Sequence, residues 1–89
     1  MKTLTITITD DMVGDGWTGD LDTLATELAT ALNDYYDDWD VEVIASNGNA
    51  HWPTLTTPDG DYETLERNLI PEDIWIDVTS RVQRETAVA

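Results

Sequence analysis

Polar and apolar residues alternate without a break from Thr3 to Thr9, with Leu4, Ile6 and Ile8 on one side and threonines on the other. A period of two with β-branched residues on both faces predicts a strand. From Leu21 the period changes. Leu21, Leu24, Leu28, Leu32 and Tyr35 recur at spacings of three and four, with Ala25, Ala29 and Ala31 alongside. The rows between them carry Asp22, Thr23, Thr26, Glu27, Thr30, Asn33 and Asp34. That stripe predicts a helix over about residues 20–36, opened by Asp20 as its N-cap. The glycine- and aspartate-rich "DDMVGDGWTGD" between strand and helix reads as a loop.

Alternation returns in "DVEVIAS", where Val41, Val43 and Ala45 share a face. Asn47-Gly48 follows, the dipeptide best suited to a type I′ hairpin turn. A turn centred there pairs Val43 with Trp52 and Ala45 with Ala50. Pro53 cannot donate to a ladder, so this third strand is expected on an edge. Pro58 to Asp61, "PDGD", is a second turn, and "DYETLERNLI" reads as a short helix. In the last segment Pro71, Glu72 and Asp73 suit a first helical turn, and Ile74, Val78 and Val82 then lie on one face. Ile74, Ile76 and Val78 also alternate, so a fourth strand over residues 73–82 is the competing reading.

The resulting order, β-α-β-β with a short and a C-terminal helix, makes one α+β domain over residues 1–89. It is expected as a small antiparallel sheet with the long helix packed on one face. With a strand at the end, the order becomes the split βαβ of a ferredoxin-like domain.

Composition sharpens this picture at two points. The chain has no Cys, which excludes thiolate metal sites and disulfides and favours an intracellular protein. No run reaches the roughly 18 apolar residues of a membrane span, and the N-terminus lacks a signal-peptide block, so a cytoplasmic location is expected. The other point is charge. Nineteen acids face four bases, for a net charge of −15. Fifteen of those acids lie between Lys2 and Arg67, an interval without a basic side chain. Such a surface repels nucleic acid and anionic membrane and attracts basic partners.

Neither catalysis nor metal binding finds its residues. His51 is the sole histidine, and no serine, cysteine or basic group is placed to work with it. Asp11, Asp15 and Gly16 fall into a partial calcium-loop register, but Val13 occupies a ligand position and Asp22 stands where the terminal Glu belongs. "DGDYE" at Asp59 to Glu63 fails similarly. No enzyme activity, metal or cofactor is expected.

The remaining candidate is "NDYYDDWD", Asn33 to Asp40. Its Asp34, Asp37, Asp38 and Asp40 gather at the C-terminal end of the long helix, where the macrodipole disfavours anions. With Asp20, Asp22 and Glu27 they distribute carboxylates along a helix of about 25 Å. Tyr36 and Trp39, with Trp17 further off, are the candidate aromatic anchors, since aromatic side chains dominate interface energetics. Proteins that bind DNA hold its phosphates largely with Lys and Arg, and a rigid acidic face suits the same groove. In size, charge, lack of Cys and acid-rich helix ends interleaved with Tyr and Trp, the chain resembles the small phage-encoded anti-CRISPR and anti-restriction inhibitors that mimic nucleic acid. The resemblance is one of type, without a shared motif. It implies a stoichiometric inhibitor of a basic nucleic-acid-binding complex, a CRISPR effector or restriction enzyme, in the host cytoplasm. Two other readings compete. One is a domain made acidic for solvation in brine, consistent with one Lys and fourteen Thr. The other is a partner-binding or toxin-neutralising module without DNA mimicry.

Overall fold

The computed structural model describes residues 1–14, 16–46 and 52–88, apart from the side chains of the last three. Its elements are β1 (Lys2–Thr9), α1 (Asp10–Val13), α2 (Leu21–Tyr35), β2 (Trp39–Ser46), β3 (Thr54–Thr56), β4 (Tyr62–Thr64) and α3 (Glu72–Val88). The α+β class, the first strand, the long helix and the C-terminal helix follow the periodicity of the chain. Asp20 caps α2 as its position predicts: its Oδ2 accepts from the Thr23 N–H at 3.0 Å and the Thr23 hydroxyl at 2.8 Å.

The four strands form one mixed sheet in the order β2-β1-β3-β4. β1 and β2 run parallel over their whole length, from Lys2 opposite Trp39 to Thr9 opposite Ser46. This corrects the wholly antiparallel sheet expected from the sequence, and α2 is the reason. A helix of about 22 Å returns the chain along the eight-residue β1 to the end where it began, so the next strand starts in the same direction.

The hairpin pairing is overturned as well. Val43 lies opposite Ile6 and Ala45 opposite Ile8, and Trp52 is exposed outside any strand. Asn47-Gly48 and Ala50 lie outside the described residues. β3 instead joins the other side of β1, antiparallel, from Thr3 opposite Thr56 to Thr5 opposite Thr54. It is therefore an inner strand. Pro53 just precedes it, so no ladder donor is lost, and the proline carbonyl accepts from the Leu65 N–H at 2.8 Å.

The turn at Pro58 to Asp61 forms, with Gly60 at φ 99° and the Thr57 N–H donating to the Asp61 carbonyl at 2.7 Å. It turns β3 back into β4. The short helix expected in "DYETLERNLI" is thus a strand followed by irregular chain, because Tyr62 to Thr64 find ladder partners that an isolated turn of helix lacks. The fourth strand is this one, while residues 73–82 are helical. A further correction falls in the first loop, where Asp10–Val13 form the short helix α1.

One core holds these layers together. Leu4, Ile6 and Ile8 from β1 meet Leu24, Leu28 and Leu32 from α2, Val78 and Val82 from α3, and Val41 and Leu55 from the flanking strands. Leu69 and Ile70, on the segment before α3, close one side. The opposite sheet face carries Thr3, Thr5 and Thr7 beside Asp40, Glu42 and Ile44, half-buried or exposed. Among the described residues no helix is long and apolar enough to cross a membrane.

The acidic end of the long helix as a candidate functional site

Asp34 occupies the last turn of α2, Asp37 and Asp38 the connection to β2, and Asp40 the second position of β2. All four are exposed and lie at one end of the molecule. Glu42, two residues along β2, continues the row on the open sheet face. Its alternation with Val41 and Val43 carries that signal in the sequence, though it was not among the expected residues.

The other expected acids do not join this row. Asp20 and Asp22 sit at the far end of α2, about 20 Å away at the helical rise. Asp20 is occupied as the N-cap. Glu27 faces α3, where its Oε2 pairs with Arg81 Nη2 at 3.1 Å. Arg81 also approaches Asp77 at 3.7 Å. Both pairs are partly solvated, which limits each to about 0–1 kcal/mol.

The aromatic residues are arranged differently from the expectation. Tyr36 is half-buried, and its hydroxyl donates to the Leu69 carbonyl at 2.6 Å. Trp39 is half-buried against it, with ring centroids 5.1 Å apart. Trp17 packs toward α3, its indole N–H donating to the Thr79 carbonyl at 3.0 Å. A Cβ on Gly19 would stand 2.3 Å from the Trp17 ring, so glycine is needed there for close approach. The exposed ring at this end of α2 is Tyr35, at 57%. It continues the apolar stripe of α2 but stands one turn beyond the buried Leu32, at the last helical residue. Its ring meets Tyr36 edge-on at 4.7 Å.

Together Tyr35, Tyr36, Asp37, Asp38 and Trp39 line a concavity of about 290 Å³. Carboxylates beside aromatic faces suit a guanidinium or ammonium group, which gains both an ion pair and a cation–π contact. Among the described residues no three His, Asp or Glu side chains gather closely enough to hold a metal ion. His51 and Asp15 lie outside the described residues.

Burial, and next the neighbouring Tyr35, push the Tyr36 phenol above its ordinary value of 10.0, against the pull of Arg67. The folded state thus favours the neutral phenol that donates to Leu69. The unfolded chain releases this proton first, so it binds fewer protons than the native state once pH passes about 10. The stabilisation is complete below that pH and is lost as pH rises through the folded value. Tyr36→Phe is expected to remove this alkaline component, which urea unfolding at pH 8 to 11 measures.

Asn33 is exposed, as its outward row on α2 predicts, and its amide has a role the sequence does not show. Its Nδ2 donates to the Ala29 carbonyl at 2.8 Å and to the Val41 carbonyl at 2.9 Å, while its Oδ1 accepts from the Val41 N–H at 2.8 Å. One amide therefore satisfies the outward backbone of an edge strand and ties β2 to α2, where an unpaired edge invites association. Asn33→Ala is expected to cost about 2–3 kcal/mol, because the buried Val41 groups lose their partners. Urea unfolding, with hydrogen exchange at the Val41 amide, checks this.

Compared with protein-family models, curated proteins and solved structures, the chain matches none.

Proposed function

We propose that this chain is a non-enzymatic inhibitor that offers carboxylates in place of phosphates to a basic nucleic-acid-binding complex of host defence, a CRISPR effector or restriction enzyme, in the cytoplasm. The observation that carries the reading is the exposed row Asp34, Asp37, Asp38, Asp40 and Glu42. Among the described residues none of them is in an ion pair, and the row borders the aromatic concavity at Tyr35. In this reading an Arg or Lys of the partner enters between Asp37, Asp38 and the rings, while the remaining acids follow its basic groove. Neither nucleic acid nor membrane is a direct partner of so acidic a surface.

The test is capture from a bacterial lysate at low salt, with elution by duplex DNA. Recovery of one basic nucleic-acid-binding complex, released by DNA, is the expected result. Retrieval of nothing, or of a diffuse set of basic proteins, argues against it.

A second reading has its own observation. Exposed acids also surround the rest of the molecule, including Asp10, Asp11, Asp59, Asp61, Glu63, Glu72 and Glu85. That distribution suits solvation in concentrated salt. It predicts a thermal midpoint that climbs steadily toward molar salt as repulsion is screened, with no discrete partner retained.

A further inference from the structure

β3 pairs with β1 only between Thr3 and Thr5. Past that point, β1, α1, the approach to β3 and the segment before α3 enclose a notch of about 420 Å³, toward the lower end of small-molecule site volumes. Among the described residues it shares no lining residue with the acidic concavity. Ile6, Met12, Trp52, Pro53 and Ile70 make its walls mainly apolar. Met12 and Trp52 remain 39% and 56% exposed, so two large apolar side chains stand at the notch incompletely covered.

The charge at this site runs against that of the whole molecule. Among the described residues, no Asp or Glu lines the notch, whereas three other concavities each carry at least two. Among the described lining residues the charged group is Arg67. Its guanidinium makes no ion pair with any carboxylate among the described residues. Beside it, the Asn68 Oδ1 accepts from the Ile70 N–H at 3.0 Å, which holds the segment in shape and leaves the Asn68 NH2 as a further donor. Apolar walls with one planar cation and one amide donor at their edge match a molecule with an apolar body and a single carboxylate. Arg binds that group through two parallel hydrogen bonds.

We propose that this notch binds a small amphipathic monocarboxylate, its apolar body against Ile6, Met12, Trp52 and Ile70 and its carboxylate on Arg67. An aliphatic cation is rejected by Arg67, and a neutral alcohol gains the walls but leaves the guanidinium without its counter-charge. Glu66, next to Arg67 in the chain, is exposed and not in the notch wall. Repulsion between exposed charges farther apart than about 8 Å is largely screened at physiological salt, so the cation in the wall decides which charge is accepted.

The experiment is an NMR titration of the ¹⁵N-labelled protein at neutral pH and physiological salt, with octanoate and 1-octanol in parallel. Octanoate is expected to shift the amides of Arg67, Asn68 and Ile70 and the Trp52 indole, while Asp37 and Asp38 stay in place. Octanol should bind about tenfold more weakly or worse, the loss expected for a hydrogen-bonded charge. Arg67→Ala and Trp52→Ala, both at exposed positions, should each weaken octanoate by a similar factor. Absence of octanoate shifts at these residues overturns the proposal, as does octanol binding equally well. Unchanged affinity in Arg67→Ala also overturns it. The comparison of octanoate with octanol needs no variant, so it stands even if a substitution disturbs the fold.

Discussion

Leu28→Ala is expected to lower the free energy of unfolding by about 3–5 kcal/mol, as a buried leucine does when its cavity fails to collapse. Leu28 is fully buried midway along α2, where it faces the apolar side of the sheet among Leu24, Leu32 and the β1 side chains. Alanine is the better helix former, so propensity works in favour of the variant and the whole loss is one of packing. Domains of this kind have about 5–15 kcal/mol in all, and self-repulsion of the −15 charge subtracts from it. The variant should therefore be marginal at room temperature. Urea at fixed ionic strength is the denaturant to use, since guanidinium chloride is itself a salt and would screen the repulsion. A loss under about 1 kcal/mol would mean that α2 is not seated on the sheet as described.

The second large effect concerns binding and leaves the fold alone. Exchanging Asp34, Asp37 and Asp38 together for Lys reverses the charge at the acidic end. On the proposed function, affinity for the captured complex should fall by at least about 100-fold, with slower association accounting for part of it. Stability should hold or rise slightly. Asp34 opposes the helix dipole in the last turn of α2, and a cation there is favoured by about 0.3–1 kcal/mol. Surface plasmon resonance at two salt concentrations, with thermal unfolding of the same variant, separates the two properties. A folded variant that binds within a few-fold of the parent would remove these residues from the interface.

Local pattern carried much of the architecture. The alternation at Thr3–Thr9, the stripe from Leu21 to Leu32 with its Asp20 cap, and the Ile74, Val78 and Val82 face each lie within one element and needed no distant partner to be read. The acidic row was legible for the same reason: Asp34 to Asp40 are close in sequence, and exposure needs no partner. Side-chain direction at element ends was less accessible. Tyr35 and Tyr36 are adjacent, and which one is buried depends on how far α2 runs past the core and on whether the Leu69 carbonyl is within reach. Asn33 is exposed as the α2 pattern predicts, but its role as a tie to the Val41 backbone is not legible because that backbone belongs to β2.

What the chain alone determined, then, is the kind and place of its long elements, and an excess of negative charge concentrated before Arg67. These follow from the period of apolar residues and from composition, both properties of near neighbours. Tertiary structure decided which strands pair. β1 takes β2 in parallel on one side because α2 carries the chain back, and the hairpin-like Asn47-Gly48 names a turn without naming a partner. It also brought Met12, Trp52 and Arg67 to one notch. Contacts between residues so far apart depend on which edge of β1 is open when each later segment arrives, and no local periodicity records that.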